Sequence, residues 1–389
     1  MKRCSIFALC ILLLLLCTSC SSQSQNADGS PLEFFNRRVL ENPEWTLKAV
    51  TELGKYRAES ICSDGEHLYV LCREQNQILK LDADGEFLGF IGSVGSQPGQ
   101  LYQPAAMAWD GQYLIVAEQG NLRLQAFTPD GASVFTRPLP VNAEQRAFVR
   151  SVAPCGADYL VCLFFPYDKD ADTVWRLNAD GTAQPLMKNV RGIFTWNQEN
   201  VYLLEDLVYA GEENVSYQTG AGTVWRLDAG ALVRQAVLPY GYVATSAMPG
   251  DGRWYAVNSS FYSLDCFDSA WQYVSTGLML ANQEKNVLYE GQSLSLARCK
   301  GQLMLLSTSS GTLYRVQENA HDAQGTGKVS FRGDGADVPQ VAVLRLAADA
   351  ERRIRQRDDA GHAGFVFAGN EHGGCAVCAA GAHYPLCVA

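Results

Sequence analysis

Between residues 44 and 317 the chain repeats one arrangement of apolar and polar positions. An apolar-rich run closes in a tight turn at Ile78-Leu79-Lys80-Leu81-Asp82-Ala83-Asp84-Gly85, at Leu124-Gln125-Ala126-Phe127-Thr128-Pro129-Asp130-Gly131 and at Val174-Trp175-Arg176-Leu177-Asn178-Ala179-Asp180-Gly181. Looser copies follow at Val224-Trp225-Arg226-Leu227-Asp228-Ala229-Gly230, Leu264-Asp265-Cys266-Phe267-Asp268 and Leu313-Tyr314-Arg315-Val316. Each unit also carries an earlier apolar run, at 68–72 after Asp64-Gly65, 113–117 after Asp110-Gly111, 159–164 after Gly156, and 201–204, 254–257 and 303–306. Short Val, Leu, Ile and Tyr runs bounded by Asp-Gly predict strands joined by hairpins, and no helical period competes with them. A spacing of about 40 to 50 residues suits a four-stranded sheet that needs neighbours to bury its faces. The pattern therefore predicts an all-β chain folded as a six-bladed β-propeller over 44–320. Residues 45–53 alternate like a strand and the sixth unit lacks a strong fourth strand. The N-terminal strand is expected to complete the last blade and remove an open sheet edge.

The second unit narrows the reading. It carries Gly99-Gln100-Leu101, Pro104, Ala108, Asp110-Gly111, Val116-Ala117-Glu118, Asn121, Arg123-Leu124-Gln125 and Phe127, in the order of the NHL repeat family, which it resembles. Glu118 stands where that family commonly has Asp, and the later units lose the Asn-x-Arg element. The resemblance implies a six-bladed propeller, a fold that hosts binding scaffolds as well as lyases and hydrolases. Function has to be read from the site.

The chain starts differently. Lys2 and Arg3 precede an apolar run over 6–16, then Thr18-Ser19 and Cys20, the pattern of an export signal over 1–19. A run of about eleven residues is short of the roughly 20 that span a bilayer, which favours cleavage. The segment Leu16-Cys17-Thr18-Ser19-Cys20 resembles a bacterial lipobox, with Cys17 where a residue such as Leu is usual. Cys20 is the expected lipid anchor. Residues 20–43, with a Ser/Gln/Asn/Gly stretch over 21–30, read as a flexible tether. The expected place is extracytoplasmic, a lipoprotein on the bacterial cell membrane. A net charge of −10, with no Lys/Arg-rich block before residue 345, argues against a phosphate-backbone partner, so no nucleic acid is expected.

Candidate chemistry is sparse. Of five histidines only His67 lies in the repeats, with His321, His362, His372 and His383 beyond them, and one imidazole cannot build a three-His zinc site. No Gly-x-Ser-x-Gly, His-Glu-x-x-His or Gly-Lys-Ser/Thr element occurs, and no catalytic residue is assigned. Asp168-Lys169-Asp170-Ala171-Asp172 is similar to the start of a calcium loop but lacks the later Gly and Glu; the competing reading is a solvated hairpin. No metal or cofactor is assigned, calcium being the one these carboxylates would suit.

Just before each expected inner strand stand Arg57, Gln103, Arg150, Arg191, Tyr242 and Glu290, positions that converge at the mouth of a propeller's axis. Guanidinium forks match carboxylate or phosphate, so the three arginines are candidates for an anion site, against a reading in which each pairs with a blade carboxylate. Longer links at 164–173 and 205–223 belong on the same face, where loops on a rigid scaffold carry binding. Tyr167, Tyr209, Tyr217 and Tyr262 would present amphipathic surface there. Trp175 and Trp225 recur at one strand position and read as packing between blades. The cysteines within the repeats lack framework spacing and read as buried thiols.

After Gln317 the composition turns to Ala, Gly and Arg. Residues 321–389 read as an irregular extension, with a zinc-like set His372, Cys375, Cys378, His383 and Cys387 in no trusted finger spacing. The whole reading is a membrane-anchored binding module for a protein, peptide or glycan, recognised through the mouth face. A lactonase-like propeller hydrolase or lyase and an envelope assembly scaffold remain as alternatives.

Overall fold

The computed structural model describes residues 43–319 except 142–143, 210–216, 219, 240, 259–261 and 281–293. Cys20, the signal and tether, Glu290 and the cysteine- and histidine-containing tail lie outside the described residues.

Chain order begins with β1 (Trp45–Glu52) and a short 3-10 turn at Gly54–Tyr56. Blade 1 is β2 (Ser60–Ser63), β3 (Leu68–Cys72), β4 (Gln77–Leu81) and β5 (Phe87–Ile91). Blade 2 is β6 (Pro104–Trp109), β7 (Leu114–Glu118), β8 (Arg123–Phe127) and β9 (Ser133–Pro138). Blade 3 is β10 (Phe148–Cys155), β11 (Asp158–Phe164), β12 (Asp172–Leu177) and β13 (Ala183–Lys188). Blade 4 is β14 (Arg191–Trp196), β15 (Val201–Tyr209), β17 (Thr223–Asp228) and β18 (Ala231–Val237), with β16 (Tyr217–Gln218) paired to the end of β15. Blade 5 is β19 (Ala244–Gly250), β20 (Arg253–Asn258), β21 (Ser263–Phe267) and β22 (Tyr273–Met279). Blade 6 is β23 (Leu294–Cys299), β24 (Gln302–Ser307), β25 (Thr312–Glu318) and β1. All pairings within the blades are antiparallel. The first strands neighbour one another in a closed ring, β2 lying beside β23 as well as β6.

Burial explains why the strands read as they do. A second strand has a neighbouring blade on both faces, so β3 and β7 are buried at every position. A fourth strand faces water, and β9 alternates half-buried and exposed residues. The expected closure is present: β1 pairs along β25 from Trp45 opposite Glu318 to Glu52 opposite Thr312, so the two ends of the propeller chain hold one blade together. Adjacent blades are also joined at their inner strands by serines. Ser151, Ser246 and Ser295 each accept, on Oγ, the N–H of a residue in the next blade: Phe194 at 2.8 Å, Leu296 at 3.0 Å and Ile61 at 3.1 Å.

The Asp-Gly turns recur as one geometry. The N–H groups of Gly85, Gly131 and Gly181 donate to the carbonyls of Asp82, Thr128 and Asn178, with φ of +83°, +89° and +86°, a region in which a Cβ is strained. Blade 5 departs from this. Trp271 takes the same place with φ +65°, donating to the carbonyl of Asp268 at 3.0 Å. Its ring is buried, stacked on Trp254 at 4.6 Å and set against the edge of Tyr202, so aromatic burial offsets the strain. That is why the fifth unit reads as a loose copy.

The repeat cysteines are free thiols. Cys72, Cys162, Cys266 and Cys299 are buried, and burial pushes the Cys72 thiol up to about 11 and Cys162 up to about 12. Among the described residues no helix is long and apolar enough to cross a membrane.

Candidate functional site at the mouth of the ring

Antiparallel pairing places the first residues of every inner strand and the last residues of every second strand at one end of the ring. Backbone strain collects there. Arg57, Asn76, Gln103, Leu122, Asn189 and Tyr262 all hold positive φ, between +46° and +56°.

In blade 2 this end is closed by its own residues. Glu118 is buried and accepts the N–H of Tyr102 at 2.9 Å, Asn121 Nδ2 at 2.5 Å and Arg123 Nε at 2.6 Å. Arg123 then reaches the carbonyls of Ser96, Gln97 and Gln100, and Asn121 that of Gly95. Gln125 accepts the N–H of Gly99 and donates to the carbonyl of Gln100. The residues that carry the NHL resemblance therefore clamp the 95–103 loop onto its blade.

Blades 3 and 4 meet differently, through two β-bulges. Arg150 is the extra residue between the Val149/Leu163 and Ser151/Cys162 pairs, and Asp206 the extra residue between Arg191/Leu207 and Gly192/Glu205. A bulge re-aims the side chain it adds. Here Arg150 and Asp206 turn to each other across the blade boundary, with Nε and Nη2 of Arg150 at 2.7 and 2.6 Å from Asp206 Oδ2. Arg191 Nε stands 3.3 Å from Oδ1 without hydrogen-bonding geometry, and its guanidinium lies 4.8 Å from the centre of the Phe164 ring. The Asp206 side chain is fully buried, while those of Arg150 and Arg191 keep 23% and 27% exposure. Beside them Glu205 accepts the N–H of Thr223 at 2.9 Å, and burial holds its carboxyl above the usual carboxylate range.

The expected site residues divide along these lines. Arg150 and Arg191 are brought together; Arg57 is exposed and pairs with Glu74 at 2.6 Å in blade 1. Gln103 is exposed and donates its N–H to Asn76 Oδ1. Tyr167 is 74% exposed in the link between β11 and β12, with Arg146 5.9 Å from its ring. Tyr262 is half-buried against the core. Tyr209 and Tyr217 face each other in the register of β15 and β16, so the blade 4 link begins and ends as a hairpin extension where a plain loop was expected. Tyr242 differs most. It is 1% exposed because its hydroxyl has a buried acceptor, Asp265 Oδ2 at 2.8 Å, which leaves it no surface for a ligand.

Asp265 was not singled out by its sequence, since it sits inside an apolar strand pattern. It accepts hydroxyls from Tyr242, Ser263 and Thr276, yet burial pushes its carboxyl up to about 6. Asp206 was missed as well. Its arginine partner lies 56 residues away and meets it only through the bulges.

His67 bonds Asp64 at the β2–β3 hairpin, the opposite end of the ring from Arg57. Asp168 accepts the N–H of Asp170, and Asp172 opens β12 with its carboxylate 4.0 Å from Lys188. The carboxylates of this calcium-loop-like segment are thus not gathered on one point. Among the described residues no group of three or more His, Cys, Asp or Glu is arranged to hold a metal.

No protein-family model matches the sequence, and no curated protein matches it. Solved structures do resemble the fold. A luciferin-regenerating enzyme aligns over 71% of this chain and 96% of its own at 13% identity, with a TM-score of 0.51. A streptogramin B lyase aligns over 71% of this chain and 98% of its own at 12% identity, TM-score 0.47. A calcium-binding regucalcin from Agrobacterium tumefaciens aligns over 70% and 94% at 10% identity, TM-score 0.48. The chain is a six-bladed β-propeller. At such identities the likeness is one of fold alone.

Proposed function

We propose that this propeller is a membrane-anchored, extracytoplasmic binding module that recognises its ligand through the mouth face. One observation carries the reading: among the described residues the two fully buried carboxylates at this end are committed to protein donors, Glu118 to Arg123 and Asp206 to Arg150, so neither is free to exchange a proton with a substrate. Tyr167, Tyr102 and the links around them stay at the surface. Cys20 supplies the acyl anchor, and the net charge of −10 points away from nucleic acid.

The test uses the full-length chain made in a bacterial host. Fatty-acid label should enter the wild type and be lost in Cys20→Ala. On peptide and glycan arrays the detergent-purified protein should retain a defined ligand class, and Tyr167→Ala should weaken it about tenfold with unchanged melting temperature. Silence on both arrays, or turnover of lactone or ester substrates at enzymatic rates, would overturn the reading.

A scaffold role has one observation in its favour. Phe87, Leu88, Phe90 and Val94 form an exposed apolar strip on the outer strand of blade 1 and the turn after it, with the Phe87 and Phe90 rings 5.0 Å apart.

A further inference from the structure

At the boundary of blades 3 and 4 one guanidinium is left short of acceptors. Two guanidiniums, Arg150 and Arg191, face the buried carboxylate of Asp206. Arg150 takes the well-formed contacts, at 2.6 and 2.7 Å on Oδ2. Arg191 Nε and Asp206 Oδ1 are both buried without a hydrogen-bond partner, although they lie 3.3 Å apart. Among the described residues the terminal nitrogens of Arg191 have no carboxylate or carbonyl acceptor. The Phe164 ring covers one face of this guanidinium, which leaves its in-plane edge as the direction for new bonds. Buried donors are normally satisfied, and a half-buried guanidinium that lacks an acceptor is a place where a ligand oxygen gains more than it would in water.

We propose that Arg191, backed by Arg150, binds a ligand carboxylate at the boundary of blades 3 and 4. The proposal deepens the binding-module reading and rests on it. A carboxylate fits on two counts. Its two oxygens match the planar fork, and its single negative charge costs less to bring into a partly desolvated place than a phosphate dianion does. Asp206 is then a positioning residue, holding Arg150 and keeping the second guanidinium within reach. Glu205, the neighbouring carboxylate, is turned to the Thr223 N–H.

The experiment is calorimetry on the full-length protein with an N-acetyl dipeptide bearing a free C-terminal carboxylate, the same dipeptide as its amide, glucuronate, its methyl ester, and inorganic phosphate. At least one free acid should bind saturably, its neutral counterpart about tenfold more weakly or not at all, and phosphate less than the acid. The acid that binds identifies the source of the carboxylate. Arg191→Gln should lose about tenfold in affinity, and Arg191→Lys, which keeps the charge without the fork, should recover part of it. Equal binding of acid and neutral form, preference for phosphate, or unchanged affinity in a folded Arg191→Gln would each overturn the proposal. If no acid binds, the carboxylate site falls by itself, and the Tyr167 array result decides separately whether the propeller binds ligands at its mouth.

Discussion

In blade 2 the buried Glu118 is answered by residues from its own repeat: Arg123, Asn121 and the Tyr102 N–H all reach it within 2.9 Å. In blade 4 the buried Asp206 sits at the matching end of the second strand but is answered from two blades, by Arg150 and, at a longer 3.3 Å, by Arg191. The first arrangement is local and nearly saturated, with every bond spent on fastening one loop. The second is made across a blade boundary and leaves buried polar atoms, Arg191 Nε and Asp206 Oδ1, without partners. A propeller repeats its scaffold, so a polar cluster with an arginine left short of acceptors is the better candidate for a site, and a motif that resembles a family can be purely structural.

The largest effect that tests this contrast is expected from Glu118→Ala. It takes the carboxylate from Arg123, whose side chain is only 13% exposed, and removes the acceptor for four donors at once. Breaking one partner of such a buried pair costs about 3–5 kcal/mol, read as a loss in urea unfolding free energy. Proteolysis in the 95–103 loop should rise in parallel. A loss under about 1 kcal/mol would mean that the clamp is carried by Gln125 and the backbone.

Blade 5 offers a third solution, a buried carboxylate held only by hydroxyls, and it should betray itself through pH. The folded-state pKa of Asp265 is raised from 3.8 to about 6, so the native state binds the proton more tightly than the unfolded chain does. Its favourable contribution is complete below about pH 3.8 and is lost as pH rises through about 6. Between pH 7.5 and 5 wild type should gain about 1.5 kcal/mol relative to Asp265→Asn, which does not titrate. Urea unfolding of both proteins at the two pH values checks this. An identical pH dependence in the two would show that the carboxyl is not raised.

How far these features could be read in advance follows from their range along the chain. The blade rhythm is local: Val and Leu runs and Asp-Gly turns stand within a few residues of one another, and Gly85, Gly131 and Gly181 mark where the backbone must adopt positive φ. Ring closure was legible because β1 has a strand pattern and the sixth unit lacks one. The fifth blade blurred because Trp271 replaces that glycine and is held by rings from two blades. At the mouth, Arg150 and Arg191 could be named from their place before an inner strand, but their shared partner could not. A one-residue bulge decides which side chain faces the neighbouring blade, and nothing in an alternating pattern announces it. Tyr242 shows the converse: its position suggested surface, and only the buried Asp265 explains why the ring turns inward.

The smallest effect is the most discriminating. Arg191→Ala should change stability by less than about 1 kcal/mol, because Arg191 lacks a well-formed bond to Asp206 and Arg150 already satisfies the other oxygen. A structural arginine in the manner of Arg123 would cost several times more. Removing one of two like charges that share a carboxylate also relieves repulsion, which pushes the result further toward zero. The measurement is the unfolding midpoint in urea beside Arg123→Ala, at low and at high salt. A penalty matching that of Arg123→Ala would make the two blades equivalent and return Arg191 to the scaffold. A near-neutral result would mean that the protein keeps a half-buried arginine its fold does not need, which is the property a binding residue has and a strut does not.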